Sequence, residues 1–364
     1  MTISVALVYG THAEAITVAP LIAALRDDDR FETTIISVVQ YANLVATVEN
    51  TFGFHPDVRL RSPHTVSEQL RRSAPDLVVV HGKTTTAVNA ALAARQQRIP
   101  IVHLEAGSRS GGVFSPRAAE TNRRMIGQIA SFHLAPTQRA RENLLAEGIT
   151  DERIVVTGDT VIDALLMTVR RTACFSSKAV SAGFDPCKRT ILFTTHRRES
   201  WERGLSDTAR ALNSVLQQRS DTMVFVPLQT NPIVREAILP HLGRHPRAVI
   251  SPPLGYPDFC LAMDRAYCIV TDSGRVQQEA PSLNTPVLVT RATAERAEVL
   301  ATGAARLVGT ECAYVSDSVL RLLDNPREYA HMRSGQNPYG DGCAAARCVE
   351  ALRCWVTTSD GSRS

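Results

Sequence analysis

One pattern recurs along this chain and limits its fold more than any other. A short, wholly apolar run stops at a polar turn, and a helical pattern follows. Residues 4–9 form the first such run, ending in Gly10-Thr11, and helical periodicity then runs from Glu14 to Arg26. Further runs lie at 33–38, 76–81, 100–104, 132–134 and 154–156, each with a helical pattern before or after it. Runs apolar on both faces suit strands covered on both sides, and their alternation with helices predicts parallel sheets in an α/β protein. Residues 174–188 mix Ser, Gly and Pro with little periodicity and read as a linker. The rhythm restarts at 190–195 and continues at 223–227, 248–251, 267–270, 285–289 and 305–308. The expectation is two doubly wound, Rossmann-like domains with a cleft between them. The first covers 1–173 and the second 189–342, with a final helix over 343–356. Pro20 falls inside the first helical pattern and is expected to kink or divide it.

A chain of 364 residues is long enough for two domains, and the net charge of +4 is small for that length. No run of arginines makes a basic tail, so a small anionic ligand is favoured over nucleic acid. None of the eight cysteines forms a C-x-x-C pair, so zinc and redox motifs are not indicated. The opening residues run straight into the first apolar run without a basic leader. No run is long enough to span a bilayer. A cytoplasmic protein with reduced thiols, away from membranes, is the expectation.

In doubly wound sheets, ligands gather at the carboxyl ends of strands. Those ends carry Gly10-Thr11-His12, His81-Gly82-Lys83-Thr84 and His103-Leu104-Glu105-Ala106-Gly107 in the first half. The first turn lacks G-x-G-x-x-G, so a bound dinucleotide is not indicated. In the second half the run at 267–270 stops at Thr271-Asp272-Ser273-Gly274. Ser273 is placed to cap a helix beginning near Arg275, and the amide groups of such a helix start suit phosphate. Glu279, about one turn on, would suit the hydroxyls of a ribose.

These strings resemble, in order, the non-hydrolysing UDP-N-acetylglucosamine 2-epimerases. They are Gly10-Thr-His-Ala-Glu-Ala, His81-Gly-Lys-Thr, His103-Leu-Glu-Ala-Gly, Ser115-Pro through Glu120-Thr-Asn-Arg, and Thr157-Gly-Asp-Thr-Val-Ile-Asp. His196-Arg-Arg-Glu-Ser, Asn231-Pro, Thr271-Asp-Ser-Gly, Glu295-Arg-Ala-Glu and Asn337-Pro-Tyr-Gly-Asp-Gly follow. The resemblance implies a glycosyltransferase-B-type fold whose last helix returns to the first domain. It implies a UDP-N-acetylhexosamine substrate, a homodimer, and neither metal nor cofactor. The implied reaction removes the C2 proton as UDP leaves C1, then returns UDP and delivers a proton to the other face of C2.

By the same resemblance Phe259, Ser273, Gly274, Glu279 and Arg296 hold UDP, and Glu105 and His196 serve as acid–base groups. Four departures modify this. Lys83 stands where the family carries a catalytic Asp, and Ala119 where it carries a Glu. His12 and Thr17 replace an Arg and a Lys, and Arg275 follows Ser273-Gly274 where the family has a second Gly. Positive charge is lost at 12 and 17 and gained at 83 and 275. Lys83 therefore joins the catalytic candidates, and His12, Arg198 and Arg275 join the substrate-binding ones. Gln229 replaces a family His, which weakens the expectation of regulation by substrate. A UDP-sugar-dependent glycosyltransferase or hydrolase, and a UDP-sugar-binding protein without turnover, are the alternatives.

Overall fold

The computed structural model describes residues 2–38, 42–109, 117–196, 204–293 and 296–360. The chain divides into two compact units, Met1–Ala164 with Tyr339–Ser364, and Leu165–Pro338. Among the described residues each unit is built on one parallel sheet with helices between its strands, the α/β class expected.

The first sheet comprises β1 (Ile3–Tyr9), β2 (Phe31–Val38), β3 (Val58–Leu60), β4 (Leu77–His81), β5 (Ile101–Leu104), β6 (Phe132–Ala135) and β7 (Ile154–Val156). Its order is β3-β2-β1-β4-β5-β6-β7, and every pairing is parallel. The centre is unbroken apolar surface: Leu7 of β1 lies opposite Ile35 on one side and Val79 on the other, all three buried. β3 went unread in the sequence because Val-Arg-Leu is a three-residue, half-exposed edge strand without an apolar run.

The second sheet comprises β8 (Arg189–Thr194), β9 (Thr222–Pro227), β10 (Ala248–Ser251), β11 (Cys268–Thr271), β12 (Val287–Val289) and β13 (Ala305–Leu307). Its order is β10-β9-β8-β11-β12-β13, again wholly parallel. Strand order therefore reverses between β1 and β4 in one sheet and between β8 and β11 in the other. At such a reversal the connections leave in opposite directions, which opens a crevice at the strand carboxyl ends.

Two local expectations change. Pro20 does not divide the first helix, which runs as one element from His12 to Arg26. Proline removes a single backbone donor, and the capped start and the buried Ile16, Leu21, Ile22 and Leu25 hold the turns on either side. Residues 174–188 are not a bare linker but part of the second unit. Phe175 stacks on Phe184, Phe184 packs on Phe225, and both the amide and the hydroxyl of Ser176 donate to Asp258. A Cβ at Gly183 would come within 2.2 Å of the Phe225 ring, so only glycine fits there. The polar composition concealed two aromatic anchors.

The return to the first unit is fastened at residue level. Asn337 donates to the Gln278 carbonyl and the Ser282 hydroxyl, at 2.7 and 2.6 Å, on the second-unit side of the crossing. On the first-unit side, the Tyr339 carbonyl accepts from the Asp159 amide at 2.7 Å. The carboxylate of Asp163 then accepts from the amides of Ala344 and Ala345, at 3.1 and 2.8 Å. That caps the start of the last helix, Ala344–Asp360, which packs on the first and stacks Trp355 on Phe132. Among the described residues no helix is long and apolar enough to cross a membrane.

Candidate active site

At the first reversal point, β1 ends at Tyr9 and the chain turns through Gly10. A Cβ there would meet the Thr86 hydroxyl oxygen at 2.5 Å, so glycine is required for the turn to sit against the helix Thr85–Gln96. Thr11 caps the first helix by accepting from the Glu14 amide. The Glu14 carboxylate reaches back to accept from the Gly10 and Thr11 amides at 2.9 Å. Glu14 also accepts from the Thr84 hydroxyl, and Thr84 in turn caps the helix that follows β4. This buried carboxylate thus ties the ends of β1 and β4 together. The Thr11-x-x-Glu14 capping box was readable in the sequence; its second bond, across the reversal point, was not.

Glu105 follows β5 directly, with φ +60. Left-handed backbone at a residue that is not Gly costs about 1–2 kcal/mol and collects at functional sites. Its Oε2 stands 3.2 Å from Nε2 of His81, the last residue of β4; both side chains are largely buried. Burial opposes charge on His81, but the contact with Glu105 and the charges of Glu105, Glu14 and Asp159 raise it above the ordinary imidazole value. His103 of β5 is fully buried, and its Nε2 lies 2.9 Å from the Gly82 carbonyl, which makes Nε2–H the donor. Burial pushes His103 down to about 4. Gly82 itself is left-handed, at φ +68, and that turn delivers Lys83.

Lys83 is half-buried, with its carbonyl held by the Asn122 side chain at 2.9 Å. His12 is the first residue of its helix and is also half-buried. Ala119 offers no polar group. Its neighbour Glu120 is buried and committed to arginines: Arg123 at 3.4 Å, Arg124 at 3.2 Å and Arg109 at 3.5 Å.

At the second reversal point, Asp272 plays the tying part. Its Oδ1 accepts from the His196 amide at 2.8 Å, and its Oδ2 from the Thr195 hydroxyl at 3.1 Å. The hydroxyls of Thr194 and Thr271, 2.7 Å apart, join β8 to β11 below it. Gln229 supports the same end by donating to the Thr195 carbonyl at 3.2 Å. The His196 residue is exposed. Desolvation by surrounding protein nonetheless outweighs the pull of Asp272 and lowers it from the ordinary imidazole value.

Ser273 caps the helix Gly274–Glu279 as the sequence predicts, its hydroxyl accepting from the Val276 amide. Glu279 closes that helix almost fully buried, and its Oε1 lies 3.2 Å from Nε of Arg275. The new cation at 275 and the expected ribose ligand are thus brought together as an ion pair. Phe259 is half-buried on the helix Tyr256–Arg265, and Arg296 stands immediately before the helix Ala297–Ala301. Arg198 lies outside the described residues. Glu105, Lys83 and His12 belong to the first unit; His196, Phe259, Ser273, Gly274, Arg275, Glu279 and Arg296 belong to the second. Sequence reasoning did not single out His81, Glu14 or Asp272. Their signal was position alone, at or just beyond an apolar run that ends at a reversal point.

Comparison with known proteins bears on this arrangement. Residues 23–353 match the model of the family described as UDP-N-acetylglucosamine 2-epimerase. The UDP-N-acetylglucosamine 2-epimerase of Escherichia coli strain K12 is 41% identical over 366 residues, covering 95% of this chain and 97% of that one. A solved Listeria monocytogenes structure, provisionally named as the same enzyme, superposes with a TM-score of 0.92 at 36% identity and covers 98% of each chain. The Neisseria meningitidis enzyme, solved bound to UDP-GlcNAc, gives 0.87 at 34% identity, over 96% of this chain and 99% of that one.

Proposed function

The chain belongs to the UDP-N-acetylglucosamine 2-epimerase family, and from that premise we propose that it interconverts UDP-N-acetylglucosamine and UDP-N-acetylmannosamine. The observation that carries the reading is Glu105. A carboxylate in left-handed backbone, at the carboxyl end of a central strand and against a buried imidazole, is equipped for proton transfer. In the proposed reaction Glu105 takes the C2 proton while the C1–O bond to UDP breaks. The bonding pair leaves with UDP, and a C1–C2 double bond remains. UDP then re-adds at C1 as C2 receives a proton on its opposite face. Ser273 and Gly274 would hold the diphosphate, Glu279 the ribose and Phe259 the uracil, with Arg296 and Arg198 on the sugar or diphosphate. His196 is the second acid–base group.

This active site would differ from the family pattern. Lys83 and Ala119 remove two carboxylates, while Lys83 and Arg275 restore cationic charge that His12 and Thr17 do not supply. A sugar-handling first unit, a UDP-binding second unit over Leu165–Pro338, a homodimer and a cytoplasmic location complete the proposal. The test is incubation with UDP-N-acetylglucosamine in deuterated water. Deuterium at C2 and appearance of the manno epimer are expected. Tight UDP binding with neither would sink the reading, and UDP release only on addition of an acceptor would identify a transferase.

A further inference from the structure

Resting on the 2-epimerase reading, we propose that His81 is a positioning residue: a buried imidazolium that orients Glu105 and sustains it as the carboxylate that takes up and returns the C2 proton. The departures at this strand end make such a partner necessary. With Lys83 and Ala119 where the family pattern has carboxylates, Glu105 carries the proton traffic on its side of the sugar.

The geometry separates His81 from an ordinary buried histidine. His103, one strand away, satisfies a ring nitrogen on the Gly82 carbonyl at 2.9 Å, as a structural imidazole does. His81 is nine-tenths buried, and neither of its ring nitrogens makes a hydrogen bond of good geometry among the described residues. Its close polar contact is the 3.2 Å approach of Nε2 to Glu105 Oε2. Glu105 reaches that position through a left-handed backbone, and a Cβ at the left-handed Gly82 next to His81 would lie 3.5 Å from the same Oε2. One strained turn, at Glu105, and one that glycine alone enters freely, at Gly82, converge on this carboxylate–imidazole contact.

The charges around His81 come from every side. Glu105 faces it from the end of β5, Glu14 from the first helix and Asp159 from the loop after β7; neutral His103 lies on β5, and Lys83 is two residues along its own turn. The acids outweigh burial and favour the imidazolium. That charge, 3.2 Å away, favours the Glu105 carboxylate over the acid. During the reaction the substrate proton moves to Glu105 and the electron pair of the C1–O bond leaves with UDP. His81 keeps its own proton throughout, so no further donor or acceptor is required. Above the pH at which His81 loses its proton, the carboxylate faces a neutral ring with Glu14 and Asp159 nearby, and turnover falls. The alkaline limb of the rate profile then belongs to the pair.

The test is the pH profile of His81→Gln, with the imidazole titration of the wild type as a second measurement. His81→Gln is expected to lose about 10²-fold in kcat with a smaller change in KM, and to lose the alkaline limb. Lowered activity with both limbs unmoved would mean a structural role only and overturn the inference. Because that variant could fold poorly, the His81 resonances are also followed by NMR in the wild type and in Glu105→Gln. The expected fall is about one pH unit or more when the carboxylate is neutralised, and no fall overturns the inference whatever the kinetics. A wild type that binds UDP yet exchanges no C2 proton would remove the 2-epimerase reading and this role with it. Exchange by the wild type with an unmoved His81→Gln profile removes the role alone.

Discussion

At the first reversal point, Glu14 joins the ends of β1 and β4. At the second, Asp272 joins the ends of β8 and β11. Each carboxylate accepts backbone N–H from a strand-end turn, so the same topological problem has the same polar solution. What surrounds the tie differs. Around Glu14 stand titratable groups: Glu105, His81 with its value raised by that carboxylate, and Asp159. Around Asp272 stand hydroxyls, a helix start capped by Ser273, and an imidazole biased to neutrality. In the proposed reading the first point carries most of the proton transfer, and the second holds the anion with His196 as its one acid–base group.

The largest effect expected is from Glu105→Gln. If proton work resides at the first point, this nearly isosteric change should lower kcat by roughly 10²–10⁴-fold. The dissociation constant for UDP, measured by calorimetry, should change by less than about threefold, because the second point is untouched. An equal loss of UDP affinity would erase the division.

Next in size is an acid sensitivity built into the first sheet. His133 of β6 and His103 of β5 are fully buried, with ring centroids 6.4 Å apart, and burial holds them down to about 3 and about 4. The unfolded chain takes up these protons near pH 6.5 and the folded sheet does not. Stability should therefore be unaffected above about pH 7 and fall as pH drops from 6.5 toward 4, by about 3 kcal/mol for each ring at pH 4. Both ring nitrogens of His133 lack hydrogen-bond partners among the described residues. His133→Phe should thus flatten the decline without cost at pH 7. Hydrogen exchange at β5 and β6 amides across that range is the measurement. An unchanged slope in the variant would mean that these rings titrate freely.

How much of this could be read beforehand follows from the same contrast. The strands were legible because an interior parallel strand must be apolar on both faces; Val58–Leu60, at an edge, obeys no such rule and was missed. The capped turn after β11 was legible because capping and helix start are local: Ser273 caps Val276 three residues on. Pairings between strand ends are set by register and topology and have no local trace. His81 and Glu105 lie 24 positions apart and meet because β4 pairs with β5. Arg275 was read as a substrate-binding cation, although Glu279, four residues later, offered a helical ion pair by spacing alone.

The smallest effect sharpens the contrast from the other side. In Asp272→Asn one oxygen remains to accept from His196 N–H or Thr195 O–H, and the other becomes an NH₂ group that faces a donor. About one hydrogen bond is lost, a cost on the order of 1–2 kcal/mol. The carboxylate is also the group that draws the His196 value upward against desolvation, so His196 should titrate lower still in the variant. UDP affinity should weaken by no more than about tenfold, since the cap at Ser273 and the pairing of β8 with β11 persist. The acid slope of the first sheet should be unaltered, because its cause lies at His103 and His133. If Asp272→Asn instead left His196 unmoved and changed the proton-transfer rate as strongly as Glu105→Gln, the second point would carry an equal share of the proton work and the division drawn from Glu14 and Asp272 would fail.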